Sequence, residues 1–468
     1  MVTAAETARP PITRRRAALL IATLSGGGII SALQQTLVMP VLSVAPQRYG
    51  VTADDASWLL TAVLLAGVVA PPVVTRLADL FGRRRMLVVT LALLVAGSIV
   101  AALPLSFGWV LVGRALQGSA TALLPIGISI LAEVLPRQRI ALGIALMSAT
   151  LAVGGAAGLP LSGLLFELSG FAGVFGVTAV LGAIALPVVL IVVPRTPPRA
   201  VGRFDWSGAL VLSTALVSIM LVISKGTAWG WTSMPTLGLL GAGLVLLTIF
   251  GIMQARSTSP LIELGQLASR PVRWTNLATV LASMAMFANM LIATFELAIP
   301  AREGGPSLGV VETGLALLPI GAVSVVATPL VARMLNRLGA RMTLCVGSAL
   351  MAMGFAAHLA TDHQLGWILV NSVVVAIGAA MAFAAMPLLV LRFAPAEDAA
   401  TANGINSLMR FFGFAAASAI LGVVAALPSA AGSLLDPLDI ASAGACMIAV
   451  LAAVAALAIP RRRLLAGG

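Results

Sequence analysis

Residues 72–87 read PVVTRLADLFGRRRML, and residues 329–344 read PLVARMLNRLGARMTL. The two stretches align without gaps at a constant offset of 257 positions, and each joins two long apolar runs. The residues that recur at matching positions are Pro72 and Pro329, Val74 and Val331, Arg76 and Arg333, Gly82 and Gly339, Arg84 and Arg341, and Leu87 and Leu344. A repeat of this kind indicates two structurally related halves.

Around this repeat the chain is strongly apolar. Of its 468 residues, 60% are hydrophobic and 9% are charged, and the mean hydropathy is +1.08. Soluble domains contain roughly a quarter charged residues, so lipid is expected to surround most of this chain. Runs of about 18 or more mostly apolar residues can cross a bilayer as helices. Fourteen such runs are predicted, at 17–41, 56–78, 86–104, 108–132, 140–165, 171–193, 207–224, 235–254, 274–300, 309–332, 342–360, 364–391, 400–427 and 438–460.

The formal net charge of +12 comes from cations that gather in short loops between apolar runs. With fourteen spans, nearly all Lys and Arg residues fall on the side of the termini. The exceptions on the opposite side are Arg48, Lys225 and Arg302, while Arg114 and Arg410 lie within spans. Because inner loops collect Lys and Arg, both termini are expected in the cytoplasm. The scatter of the cations also argues against a nucleic-acid-binding patch.

The spans are expected to form an all-α polytopic membrane protein with two six-helix bundles. The first bundle is predicted at 1–200 and the second at 266–468, with two additional spans between them at 201–265. A stretch with Pro, Gly and Arg residues, 193–203, breaks the apolar pattern at the end of the first bundle. No removable signal peptide is expected, because the first apolar run is long and lacks a small-residue cleavage site.

Cysteine and histidine give no sign of a metal or redox centre. Cys345 and Cys446 both lie inside predicted spans and are expected to serve packing. His358 and His363 lack metal-ligand spacing. We therefore expect no metal and no cofactor. The protein is also expected to be monomeric.

Further motifs accompany the repeat. They are RALQG at 114–118, GGAAGLPLSG at 154–163, FDWSG at 204–208 and TGLALLP at 313–319. Together with RLADLFGRRR at 76–85, the most specific of them, these motifs resemble the major facilitator superfamily, and specifically its fourteen-span branch of drug:proton antiporters. The resemblance covers nearly the whole chain. It implies the major facilitator fold and a proton-driven exporter in the plasma membrane whose two bundles rock about a central cavity.

The candidate conformational gate consists of Asp79, Gly82, Arg83 and Arg84. Gly82 permits a sharp turn, and the carboxylate of Asp79 can pair with an Arg or face a helix end. The resemblance implies a gate between the bundles, and the alternative is an anchor that merely keeps the loop inside. Asn336 replaces the acid in the second copy, which indicates an asymmetric latch.

Two cations inside spans are candidates for proton coupling, because a buried charge in lipid needs a partner or a water-lined cavity. Gln117 lies one helical turn after Arg114 and could continue a hydrogen-bonded path. The resemblance implies that Arg114 takes part in proton handling. For Arg410, a structural contact and a coupling or substrate role are equally open, and the oxygens of Asn403 and Asn406 could supply part of its environment.

Glu296 is the one acid clearly inside a predicted span and is a further candidate for proton coupling. A carboxyl group in an apolar environment can hold a proton near neutral pH. The alternative is that its position near the end of the span lets it reach the interface.

The first span contains the departure from the family pattern. The branch usually has an Asp followed two residues later by Thr, but this chain reads LQQTLVMP, with Gln34 in the place of the acid. An amide cannot titrate, so the usual first-span proton site is missing. Gln34, Gln35, Thr36 and Asn289 are candidates for the substrate cavity, because amides and hydroxyls can bind a ligand. The alternative is polar contacts between helices.

Small residues crowd the fifth span, where they let helices approach closely. The candidates for the antiporter motif are Gly154, Gly155, Gly158, Pro160 and Gly163. Tight packing and the family's seam between the halves are compatible explanations. Some apolar residues could form an adaptable cavity wall, although most such side chains face lipid or core. They are Met147, Met284, Met286, Met290, Phe287 and Phe295.

These observations favour export of small amphipathic drugs, antibiotics or metabolites by proton antiport with alternating access. The partners expected are the small-molecule substrate, protons and the lipid bilayer. The alternative is an uptake carrier or facilitator that is not proton-coupled through the first span. An enzyme is not expected, because no Ser elbow and no paired acids within the spans are present.

Overall fold

The computed structural model describes residues 13–198, 200, 202–301, 305–425 and 435–460. Within these ranges the regular structure is entirely helical. The α-helices are α1 Arg14–Thr36, α2 Ala45–Tyr49, α3 Ala53–Phe81, α4 Arg83–Ala102, α5 Phe107–Gly118, α6 Leu123–Val134, α7 Arg137–Val192, α8 Trp206–Trp229, α9 Met234–Arg256, α10 Leu264–Ala268, α11 Arg270–Ala298, α12 Val310–Val326, α13 Thr328–Leu359, α14 Leu365–Phe393, α15 Ala399–Ala425 and α16 Leu435–Ala458.

Thirteen helical segments of the described residues are long and apolar enough to cross a membrane, and one further apolar helix, α12, is shorter. The fifth and sixth predicted spans both lie in α7, which bends at Gly170, where φ is 59°. The tenth predicted span consists of α12 and the first part of α13. The described helices therefore confirm an all-α polytopic fold and agree with fourteen spans.

The sequence repeat is also a repeat of backbone conformation. Gly82 has φ 101° between α3 and α4, and Gly339 has φ 79° at the matching position within α13. Residues with a Cβ rarely adopt positive φ, so both turns require glycine. A Cβ at Gly82 would also lie 2.7 Å from the carbonyl oxygen of Thr196.

Two matching arginines follow these turns and make matching contacts. Arg84 donates to the carbonyl oxygen of Leu190, near the end of α7. Arg341 donates to the carbonyl oxygen of Leu457, near the end of α16. In each half, the repeat arginine thus satisfies a carbonyl of the last helix, where a cation also complements the helix dipole.

The two additional helices pack against both halves. Leu212 of α8 and Phe250 of α9 share a buried apolar cluster with Val68 of α3 and Leu408 of α15. Lys225 of α8 reaches α3, where its ammonium lies 2.7 Å from a carboxylate oxygen of Asp54. The additional pair therefore covers the junction of α3 and α15 on the outside of the bundles.

The described ends of the chain lie on the side of the repeat turns. Arg139, at the start of α7, donates to the carbonyl oxygen of Arg14, and Arg341 contacts the end of α16. Some cations of the predicted charge bias lie outside the described residues, namely Arg9, Arg199, Arg302 and Arg461, Arg462 and Arg463.

Candidate functional site

A buried carboxylate joins the two halves on the side of the repeat turns. Asp79, near the end of α3, is fully buried. It accepts hydrogen bonds from the backbone N–H and the hydroxyl of Thr401, at 2.8 and 2.9 Å. Because α15 begins at Ala399, the carboxylate also lies at the positive end of that helix dipole. A residue of the first half thus holds the start of a helix of the second.

Arginines complete this contact, which we call the latch and define as Arg76, Asp79, Arg83, Asp398 and Thr401. Nη2 of Arg83 lies 3.0 Å from Asp79, and its Nη1 lies 3.0 Å from Glu133 of α6. Nη1 of Arg76 lies 2.8 Å from Asp398, just before α15, and both side chains are nearly buried. Two of these three ion pairs, Arg83–Asp79 and Arg76–Asp398, lie within the latch, where the halves touch.

The candidate gate residues divide between two tasks. Asp79 and Arg83 belong to the latch, whereas Gly82 forms the turn and Arg84 contacts α7 within its own half. The sequence did not indicate that Asp398 and Thr401 join them, since they lie 322 residues away from their partners along the chain. Asn336, in the second copy, is exposed, so the two copies have different surroundings.

Arg114 lies in the first bundle, 1% exposed, and is held by neutral oxygens. Its Nε donates to the carbonyl of Leu59 at 2.9 Å. One Nη donates to Gln117 Oε1 at 2.7 Å, and to the backbone and side-chain oxygens of Gln34 at 3.0 and 3.3 Å. Gln117 continues the chain to the hydroxyl of Ser98 at 2.8 Å. The predicted path through Gln117 is present, and Gln34 is part of it.

Arg410 lies in the second bundle in a less satisfied environment. Its guanidinium carbon lies 5.2 Å from the centre of the Phe383 ring, a cation–π distance. Within the described residues, its Nε and one Nη have no hydrogen-bond partner. Among the described residues, neither Asn403 nor Asn406 supplies an oxygen to Arg410, and Oδ1 of Asn406 has no hydrogen-bond partner. The amide of Asn406 donates to Asn276 and Thr279 and so joins α15 to α11, whereas that of Asn403 donates to the carbonyl of Ala399 in its own helix.

The glycines of the candidate antiporter motif lie in α7, where one edge faces α1. A Cβ at Gly154 would lie 2.5 Å from that of Ala32, and one at Gly158 would overlap the hydroxyl of Thr36. A Cβ at Gly155 would meet nothing within 4 Å. The motif is thus a packing seam within the first half along one edge and open along another.

The other motif residues extend this seam. Pro160 lies inside α7, and Gly163 is half-buried one turn further on. The hydroxyl of Ser162 donates to the carbonyl of Leu37. The seam therefore continues to the end of α1.

An apolar cavity lies between the halves, lined by α7 on one side and by α11, α12 and α14 on the other. It contains about 770 Å³ of unfilled space, part of it open to the surroundings. Its polar lining comes from Ser148, Asn289 and Ser324, and Met286 and Met290 contribute flexible apolar surface. A mostly apolar wall with a few polar groups is typical of small-molecule sites.

The candidate cavity residues are distributed unequally. Asn289 lines the cavity. Gln34 faces Arg114, Gln35 donates to the carbonyl of Ser31 in its own helix, and Thr36 donates to the carbonyl of Gly154 in the seam. Gln34 and Thr36 therefore make contacts between helices, the alternative considered for them, whereas Gln35 bonds within α1.

Glu296 lies in a separate cluster near the other end of the second bundle. It is 1% exposed, and its Oε1 lies 2.8 Å from Nε2 of His358 and 3.1 Å from Nδ1 of His363. The hydrogen bond that His363 makes to the Glu296 carboxylate raises the pKa of this histidine, which lies between α13 and α14, above its ordinary value. The spacing of the histidines in the sequence did not predict this cluster, because the carboxylate of Glu296 comes from another helix, 62 residues before His358.

Two related helical bundles, a cavity between them and a buried latch on one side define the class: a polytopic membrane transport protein. The family profile described as Major Facilitator Superfamily matches residues 24–418. The chain belongs to this superfamily, and like its members it is a transporter and not an enzyme.

Similar proteins of bacteria carry names that refer to drug resistance. The chain is 27% identical over 415 residues to the multidrug resistance protein Stp of Mycobacterium tuberculosis, covering 88% of this chain and 76% of that protein. It is 28% identical over 404 residues to the tetracenomycin C resistance and export protein of Streptomyces glaucescens, covering 86% and 74%. It is 27% identical over 452 residues to the lincomycin resistance protein of Streptomyces lincolnensis, covering 94% and 90%.

A solved structure shows the same fold at low identity. The human organic anion transporter MFSD10 superposes with a TM-score of 0.69 at 15% sequence identity, covering 96% of this chain and 100% of that one. The comparison supports the two-bundle architecture.

Proposed function

We propose that this chain exports small amphipathic molecules, such as drugs, antibiotics or metabolites, by alternating access coupled to inward proton movement. The observation that carries the proposal is an apolar cavity between two related halves that are latched together on one side. The related proteins named for multidrug resistance and antibiotic export support the direction. The protein would act in the plasma membrane as a monomer.

The orientation follows from the charge bias. If both termini are cytoplasmic, as the cationic loops predict, the latch closes the cytoplasmic side. Release of Asp79 from the start of α15 would then open the cavity inward. The described conformation corresponds to the state that precedes this opening.

Proton coupling is assigned first to the path from Arg114 through Gln117. The Arg114 guanidinium is a buried charge whose hydrogen-bond acceptors are neutral oxygens. In a low-dielectric bundle, small movements of these acceptors strongly change the strength of the hydrogen bonds along the path. Arg410 is the counterpart in the second bundle, where two nitrogens without a hydrogen-bond partner in the described ranges could take one when the halves move. Glu296 remains a predicted proton-coupling residue. It lies far from both Arg114 and Arg410 in the sequence.

Drug susceptibility tests the substrate class. Growth of a bacterium lacking its own exporters would be measured with and without the chain across lipophilic cations, neutral macrolide-sized compounds, tetracenomycin C and lincomycin. We expect a several-fold rise in the inhibitory concentration for amphipathic compounds. Unchanged susceptibility to the whole panel, with the protein present in the membrane, would refute export.

Proteoliposomes test the coupling. Flux of a compound identified by the susceptibility panel would be measured with and without an imposed pH gradient, against protein-free liposomes. In proteoliposomes, molecules inserted with their cytoplasmic side outward carry the compound into the lumen. This uptake should rise when the lumen is acidic. Equal flux with and without the pH gradient would contradict proton coupling, but it would not contradict export.

A facilitator or uptake carrier is the second candidate, and Gln34 favours it. The amide that replaces the usual first-span acid accepts a hydrogen bond from Arg114 and cannot titrate. Net accumulation of the compound inside intact cells that express the chain would identify this function.

A further inference from the structure

Three potential metal ligands converge on one point of the second bundle. Glu296 comes from α11, His358 from the end of α13, and His363 from the connection to α14. One ligand atom of each lies within 4.8 Å of the other two. The cluster joins segments that are far apart in sequence and lies away from the latch and the Arg114 path.

The donor set is one that transition metals prefer. Two imidazoles and one carboxylate form a zinc-binding set, with bonds of roughly 2.0–2.2 Å. Tetrahedral ligands at such bonds lie about 3.3 Å apart. Glu296 Oε1 lies 2.8 and 3.1 Å from the two imidazole nitrogens, and all three ligand atoms lie within 4.8 Å of one another, so side-chain movements bring them to these separations.

Two further observations point to a ligand. The second carboxylate oxygen of Glu296 is buried and has no hydrogen-bond partner among the described residues. An unpartnered buried carboxylate oxygen is costly, and a cation would satisfy it. In addition, the other ring nitrogen of His363 lies 3.6 Å from Asp439 of α16. A carboxylate behind a ligating imidazole is the usual way in which proteins orient such a ligand.

The cluster is also reachable. The side chains of His363 and Asp439 are 18% and 43% exposed, whereas that of Glu296 is completely buried. A cation can therefore approach past His363 and end beside Glu296. The fourth coordination position would face this opening and hold water.

We propose that Glu296, His358 and His363 form a binding site for a divalent transition-metal ion of the zinc type, with Asp439 positioning His363. The ion ties α11 to both ends of the α13–α14 connection. The site does not depend on the direction or the coupling of transport.

Zinc binding by the purified full-length protein tests the site. Cys345 and Cys446 are free thiols, so both are first replaced by Ser to remove thiolate binding. Competition with a chromogenic zinc chelator should show one Zn²⁺ per chain with a micromolar or tighter Kd. Mg²⁺ should not compete, because it prefers all-oxygen sites.

The variants Glu296→Gln, His358→Gln and His363→Gln should each weaken zinc binding at least about tenfold. Asp439→Asn should weaken it by roughly ten- to a hundredfold, the range seen when a supporting carboxylate is lost. Glu312→Gln is the matched control, since Glu312 is an exposed acid at the start of α12, outside the cluster. It should bind zinc like the parent.

X-ray absorption of the zinc-loaded parent provides a test that needs no variant to fold. The spectrum should show nitrogen and oxygen ligands with imidazole scattering. No zinc binding by the parent, binding that survives replacement of all three ligands, or a spectrum without imidazole would each overturn the site. Because binding is measured without transport, these results are independent of whether the chain exports drugs.

Discussion

Gly154 and Gly155 are neighbours in sequence, but they face different surroundings. Gly154 contacts the backbone of α1, where an added Cβ would lie 2.8 Å from the carbonyl oxygen of Ile29. Gly155 lines the cavity, where an added Cβ would meet nothing within 4 Å. The two glycines therefore differ only in what they face: Gly154 faces α1 in the seam, and Gly155 faces the cavity.

Gly154→Ala should therefore destabilise the protein, while Gly155→Ala should not. Forcing an extra methyl group into a packed contact costs about 1–3 kcal/mol. In an open helical position, Ala is instead favoured over Gly by about 1 kcal/mol. Thermal unfolding of the two purified variants measures the difference. Equal transition temperatures would contradict the α1–α7 seam.

Gln34→Glu tests whether the first bundle lacks only the titratable group. Glutamate keeps the size of the amide and places a carboxyl beside Arg114, whose Nη1 lies 3.3 Å from Gln34 Oε1. A proton can then be exchanged at this position as the local environment changes during transport. We expect flux in proteoliposomes to depend more steeply on an imposed pH gradient. Gln35→Glu is the control and should leave that dependence unchanged, because Gln35 bonds to its own helix.

At the scale of helices, the latch is a contact between the end of α3 and the start of α15. Arg76 and Asp398 form one of its two ion pairs, at 2.8 Å with both side chains 9% exposed. Replacing Arg76 or Asp398 removes an attraction between opposite charges that lie in a nearly buried position, which is costly. The pair should therefore stabilise the latched state more than an exposed ion pair would.

A double-mutant cycle with Arg76→Gln and Asp398→Asn measures this contribution. We expect the two effects on stability to be non-additive by roughly 0.5–3 kcal/mol, since contacting residues share one interaction. Transition temperatures or denaturant midpoints of the four proteins provide the cycle. Strict additivity would show that the ion pair does not join the helices.

Local rules predicted the turns and the helices. Glycine accommodates the positive φ that both repeat turns adopt, so the sharp turn predicted at Gly82 is present, and the recurring Gly339 adopts the same conformation. Long apolar runs likewise located the spans, because a bilayer fixes the length that a helix needs.

Contacts between distant residues were not predictable in this way. Asp79 and Thr401 are 322 residues apart, and nothing near Asp79 indicates that its partner is the start of α15. Glu296 and His358 are likewise 62 residues apart, and spacing along one segment does not indicate that a carboxylate from another helix meets the two histidines. Pairing across helices depends on how the bundles pack, which a single sequence does not specify.

At the scale of the whole molecule, the additional helices α8 and α9 restrict where the halves can separate. They pack on α3 and α15, the two helices that the latch joins. The cavity lies on another face, between α7 and α11, α12 and α14. The proposed alternating access therefore requires movement at the cavity face, away from α8 and α9.

Cysteine accessibility in the cavity tests alternating access most directly. Ala380, which lines the cavity, would be replaced by Cys in a protein without Cys345 and Cys446, and a membrane-impermeant maleimide would be applied to each face of the membrane. With the latch intact, labelling should occur from the face opposite the termini. Asp79→Asn should shift it toward the terminus face, because the carboxylate that holds α15 is lost, whereas Glu397→Gln, at an exposed neighbouring acid, should not. Labelling from the terminus face with an intact latch, or equal labelling from both faces in every variant, would contradict the account.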